Sequence, residues 1–115
     1  VYYGDEAGMF GYRDPFTRCF YPWGQEDAEI LRTARALGRV RAENSVLKHG
    51  AFLPILFTEE LCCFARRGGA EELLLAVNRG GRARELPAEF AGMNPIYGAL
   101  AENGLLPPLS AAIFK

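Results

Sequence analysis

Asp5-Glu6, Glu59-Glu60 and Glu71-Glu72 are pairs of carboxylates adjacent in the sequence. Hydrolysis by paired carboxyls needs two groups facing each other across a bond, roughly 5–9 Å apart. Neighbours on one strand point to opposite faces and do not supply that geometry. Glu59, Glu60, Glu71 and Glu72 therefore read as solvated charge at turns and strand ends. Asp5-Glu6 follows the aromatic pair Tyr2-Tyr3 and precedes a Gly-rich loop. Its carboxylates are expected to be mainly structural, pairing with nearby backbone donors or Arg.

Asp14 and Arg18 stand four apart in that loop, among Phe10, Tyr12, Phe16, Phe20, Tyr21 and Trp23. Both could project into a cleft and bond polyol hydroxyls, the Arg through its planar fork of donors. A local salt bridge that holds the loop is the simpler reading of the two residues alone. Aromatic faces suit sugar stacking, and they equally anchor long loops. Ser45 and Ser110 have no adjacent His to activate them. No nucleophile elbow, phosphate-binding loop or dinucleotide fingerprint is present. His49 is the only histidine, and the cysteines are Cys19, Cys62 and Cys63. No metal site and no cofactor is expected from this set. Cys62 and Cys63 read as small buried hydrophobes, and an odd cysteine count favours a reducing, cytoplasmic setting over a disulfide framework.

The elements that must hold these residues follow from spacing. Residues 1–24 are loop-like, with Gly4, Gly8, Gly11, Asp14-Pro15 and Pro22-Trp23-Gly24 as turn signals. A helix is predicted over about 26–43, with Glu26 and Asp27 in its first turn. Ile30, Leu31, Ala34 and Leu37 form its buried face and Val40 continues it. After residue 45 short apolar runs alternate with turn signals. Candidate strands are 51–57, 61–66, 72–78, 83–86, 95–99, 104–106 and 109–114. Gly68-Gly69 and Arg79-Gly80-Gly81 fit hairpin turns. Pro54 and Pro95 belong at edges or strand starts.

Composition narrows the function classes. The chain has 115 residues, 50% of them hydrophobic, and a net charge of −1. This is one globular domain's worth of chain. The charge balance removes the electrostatic case for nucleic acid or an anionic membrane, and no apolar run is long enough to span a bilayer.

Tyr2-Tyr3-Gly4-Asp5-Glu6-Ala7-Gly8-Met9 resembles the segment at the eighth barrel strand of the α-amylase superfamily of glycoside hydrolases, nearest the neopullulanase and cyclomaltodextrinase branch. Gly11 through Arg18 and Tyr21-Pro22-Trp23 resemble the loop that follows it. Val46-Leu47-Lys48-His49-Gly50 is similar to the turn after the last barrel helix. Residues 63–67, 74–79 and 106–112 resemble strands of the family's C-terminal sandwich.

The resemblance implies a mainly β fold: a C-terminal antiparallel β-sandwich of Greek-key type, preceded by a loop and one α-helix left from the end of a (β/α)8 barrel. It divides the chain into residues 1–45, the end of the barrel, and 46–115, the sandwich. The family's three catalytic carboxylates would lie upstream of Val1, so no catalytic residue is expected here and the chain alone is expected to be inactive. Asp14 and Arg18 match the loop pair that contacts substrate glucose units. The implied partners are an α-glucan or maltodextrin and the rest of the barrel. A free-standing sandwich that binds glucan or oligomerises is the alternative. Apolar surface left bare predicts self-association of the isolated chain.

Overall fold

The computed structural model describes residues 2–11, 13–14 and 18–115. Two compact units are distinguished, residues 1–39 and 40–115.

In the first unit, Tyr2 and Tyr3 enter a turn and Asp5–Ala7 forms a single 3₁₀ turn. The segment that resembles the eighth barrel strand is thus a turn here. A strand needs a neighbour to take its backbone groups, and Gly4 instead bends the chain at φ 87°. Helix α1 spans Ala28–Glu43. Asp27 is its N-cap: the carboxylate accepts the N–H groups of Glu29 and Ile30 at 2.9 and 3.0 Å. The helix therefore begins two residues after the predicted start, because Asp27 caps it from outside. No residue of α1 is buried, and Ile30 and Leu37 are exposed. The predicted stripe exists, but Val40 is the member of it that packs on a core, with Val46, Leu47 and Leu73 in the second unit.

The second unit is an antiparallel sheet. Its strands are β1 (Ala51–Phe57), β2 (Leu61–Gly68), β3 (Glu71–Asn78), β4 (Pro95–Tyr97) and β5 (Ser110–Phe114), in spatial order β1-β2-β3-β5-β4. A four-residue helix, α2 (Val46–His49), precedes β1 and closes at Gly50. A Cβ at Gly50 would lie 2.6 Å from the Val46 carbonyl oxygen, so the turn needs glycine.

Strand pairing agrees with the mainly β, antiparallel expectation, and each difference in detail has a local cause. β2 and β3 join through Gly68-Gly69 as predicted, with Gly69 at φ 61°. β5 starts at Ser110 because Leu109 is left-handed at φ 49°. β4 stops at Tyr97 because Gly98 turns at φ 73°, where an added Cβ would strike the Ala111 carbonyl. The runs 83–86 and 104–106 meet only as one antiparallel bridge, Arg84 to Leu106. Pro54 and Pro95 fall on the two edge strands, as their missing donors require.

One sheet face carries the core. Leu61, Cys63 and Ala65 of β2, Leu74 and Ala76 of β3, and Ala112 and Phe114 of β5 lie under Phe90 and Leu106 from the 79–109 excursion. Leu86, Met93 and Leu100 of that excursion are half-buried against them. The second layer is therefore largely irregular chain. Phe90 meets Phe114 edge-on, with centroids 5.2 Å apart. Phe52 and Phe57 are 52% and 55% exposed on the opposite face.

Asn78, 1% exposed, pins the excursion. Its amide nitrogen donates to the carbonyls of Arg82, Leu106 and Pro107 at 2.8, 3.2 and 2.8 Å. Its amide oxygen accepts the Gly80 N–H at 3.0 Å. Asn78→Ala leaves these buried groups without partners and should lower the unfolding free energy by about 3 kcal/mol in urea titration.

Cys63 is fully buried, and burial pushes its thiol from 9.0 up to about 11. The unfolded thiol ionises first, so this group's stability contribution holds below pH 9 and fades as pH rises toward 11. Cys63→Ala should be less stable than the parent at pH 8, and the gap should narrow at pH 10.5, measured by urea unfolding at both pH values.

Candidate functional site: the Asp14–Arg18 loop

The carboxylate pairs are engaged structurally. Tyr2 N–H donates to Asp5 Oδ2 at 2.9 Å, and Gly4 N–H donates to Glu6 Oε2 at 3.1 Å. Each carboxylate thus tightens the turn it belongs to, as expected from the sequence. Glu72 takes Arg67 Nε at 2.8 Å, and Glu71 accepts the Ser45 hydroxyl at 3.3 Å. Glu60 is paired with Arg84 beside a cavity of about 560 Å³ that Glu59 and Glu85 also line.

The loop between the 3₁₀ turn and α1 is anchored at both ends. Ala7 accepts the Asp27 N–H at 3.0 Å, which fastens the first turn to the helix start. Gly4 approaches Met9 so closely that any Cβ there would collide with its side chain. The Tyr3 hydroxyl donates to the Cys19 carbonyl at 3.0 Å. Tyr21 and Trp23 pack with centroids 4.6 Å apart. Burial and the nearby charges of Glu6 and Glu26 hold the Tyr21 phenol above its ordinary value, with Arg35 opposing them.

Asp14 and Arg18 come together on this loop. Arg18 Nε donates to Asp14 Oδ1 at 2.9 Å and its Nη2 approaches Oδ2 at 3.4 Å. The fork is therefore set against the carboxylate, while the Arg18 and Asp14 side chains remain 73% and 64% exposed. This is the local salt bridge read from the sequence, and it leaves guanidinium donors and a carboxylate lone pair facing outward. Phe10, Phe20 and Trp23 are exposed at 95%, 99% and 82%. A cleft of about 260 Å³ opens between Tyr2, Tyr3, Asp5, Met9, Phe10 and Gly11, and neither Asp14 nor Arg18 lines it. Tyr12 and Phe16, also singled out in the sequence, lie outside the described residues.

Among the described residues no cluster of three or more His, Cys, Asp or Glu could hold a metal ion. No described helix is long and apolar enough to cross a membrane. Cys62 and Cys63 carry free thiols; Cys63 is buried as expected, and Cys62 is half-buried. Phe52 and Phe64 lie 4.9 Å apart on the sheet's open face, but their planes are tilted by 35°, and Phe57 is tilted by 57° to Phe52. Those rings do not make a flat stacking platform for sugar. Sequence alternation missed this exposed aromatic group because it rests on a strand irregularity between Pro54 and Leu56.

No family model matches the chain. An amylopullulanase of Thermoanaerobacter thermohydrosulfuricus is 39% identical over 67 residues, which are 58% of this chain and 4% of that protein. A maltogenic alpha-amylase of Bacillus acidopullulyticus is 30% identical over 96 residues, 78% of this chain and 16% of that protein. The chain thus spans a small part of the relatives it matches. A debranching enzyme of Nostoc punctiforme superposes on 99% of this chain with a TM-score of 0.82 and 30% identity, using 25% of its own length. The match runs through both units, so the chain corresponds to the C-terminal part of an α-amylase-family enzyme.

Proposed function

We propose that the chain acts as the C-terminal part of an α-glucan-acting glycoside hydrolase, without catalytic carboxylates of its own. The observation that carries this reading is the likeness over 99% of the chain to a debranching enzyme of which it matches 25%. In this reading the first unit completes the end of a barrel. The exposed Ile30 and Leu37 of α1 are apolar surface that barrel neighbours would cover. The β unit supports the barrel and shields it from water.

Asp14 and Arg18 are the substrate-contacting residues in this proposal. The carboxylate holds the guanidinium in one orientation, so its remaining donors meet sugar hydroxyls with little further ordering cost. Asp14 itself accepts from a hydroxyl. The reaction of the complete enzyme would be a retaining displacement at α-glucosidic bonds through a covalent glycosyl intermediate. The free thiols of Cys62 and Cys63 are compatible with a reducing, cytoplasmic setting. The isolated chain, with its apolar surface uncovered, self-associates.

Two outcomes test the reading. The 115-residue chain should release no reducing sugar from soluble starch; hydrolysis by the chain alone would overturn it. In the complete enzyme, Asp14→Asn should lower kcat/KM on a maltodextrin by about tenfold to a hundredfold, the loss of one or two hydrogen bonds to the sugar. The same change should shift stability by less than about 1 kcal/mol, because the ion pair is exposed.

A further inference from the structure

We propose that the edge strand β1 pairs antiparallel with β1 of a second copy of this chain, joining two sheets into one. This deepens the self-association proposed above by naming its surface.

The two edges of the sheet differ. β4 has three residues and begins with Pro95, the features that protect an edge. β1 has seven residues, Ala-Phe-Leu-Pro-Ile-Leu-Phe, with no charge among them. Among the described residues it has one neighbour, β2. An uncharged apolar edge of this length is a template for another strand.

What selects a second copy is the symmetry of the strand about the bond between Pro54 and Ile55. Phe52 and Phe57 are five apart and would ordinarily point to opposite faces. The bulge between Pro54 and Leu56 changes that. Phe52 lies opposite Arg66 and Phe57 opposite Cys62, so both phenylalanines share one face. Leu53 lies opposite Ala65 and Leu56 opposite Cys63, so both leucines share the other. A two-fold axis at the centre of β1 then sets Phe52 against Phe57 of the second copy, Leu53 against its Leu56, and Pro54 against its Ile55. Every pair is apolar, and the two outer pairs match in face; at the centre Pro54 lies on the open face and Ile55 packs toward the core, so that pair falls at the bulge with its side chains on opposite faces. The missing Pro54 donor falls at the bulge, where the ladder is already interrupted.

Charge at the two ends agrees. Lys48 and His49, both exposed, precede β1 with Gly50 between, whereas the exposed Glu59 follows it, beside Glu60, which is paired with Arg84. Antiparallel pairing brings the basic end of one copy to the acidic end of the other, at both ends of the ladder. Parallel pairing would set like against like. On the open face, Phe64 and Phe52 of one copy would continue into Phe57 of the other, extending an aromatic group already in contact at 4.9 Å.

The test is sedimentation equilibrium of the 115-residue chain over a wide concentration range, with two charge variants. The parent should reach twice the monomer mass. Phe52→Glu with Phe57→Glu places carboxylates opposite each other and should raise the dimer dissociation constant by at least about tenfold. Phe52→Lys with Phe57→Glu sets Lys against Glu across the same ladder and should restore the dimer. A parent that stays monomeric overturns self-association as a whole. A dimer insensitive to the Glu/Glu change, or lost equally in both variants, overturns the strand pairing and leaves another surface responsible. Hydrogen exchange on the unmodified chain needs no variant to fold. Protection of β1 amides should rise with concentration while that of β4 stays constant; equal behaviour of the two edges would contradict the pairing.

Discussion

A five-stranded sheet has two faces, and the one that carries Cys63, Ala76 and Phe114 must be kept dry. Its cover is the excursion from residue 79 to 109, which has little regular structure to hold itself. The carboxamide of Asn78 supplies the fastening. It binds chain at both ends of the excursion, near Arg82 and near Leu106-Pro107, and sits at the last position of β3. With that fastening made, Phe90 and Leu106 are delivered onto the sheet and the two-layer form follows. Buried amide-to-carbonyl bonds are costly to leave unmade, so one polar side chain governs an apolar core.

The same logic of local fastening runs through the first unit. Asp5 and Glu6 close the turn, Asp27 caps α1, and Asp14 aligns Arg18. These acidic residues fix backbone and a guanidinium. In the proposed function the chain positions and supports, and bond cleavage belongs to groups elsewhere in a complete enzyme.

How much of this was legible in the sequence depended on how local each cause is. Strands β1 to β3 and the Gly68-Gly69 hairpin were readable because alternation and turn chemistry act within a few residues. The Asp14–Arg18 bridge was readable for the same reason. The start of α1 was misplaced by the choice between cap and first turn, which Asp27 satisfies in either role by type alone. The runs at 83–86 and 104–106 carry strand-like residues, but a strand exists only where neighbours take its hydrogen bonds, and one bridge is all they find. The place of Asn78 could not be seen, because two of its partners lie 28 and 29 residues away. Nor could the exposure of Phe52 and Phe57, which depends on a bulge that leaves no mark in the hydrophobic pattern.

The central claim, that this chain completes and supports an α-glucan-hydrolysing barrel, is most directly tested by removing it. Soluble-starch hydrolysis should be measured for the complete enzyme and for the same enzyme lacking residues 1–115, each with its unfolding temperature. The account predicts that the deletion abolishes hydrolysis and destabilises or unfolds what remains. A shortened enzyme that keeps both its activity and its unfolding temperature would contradict it.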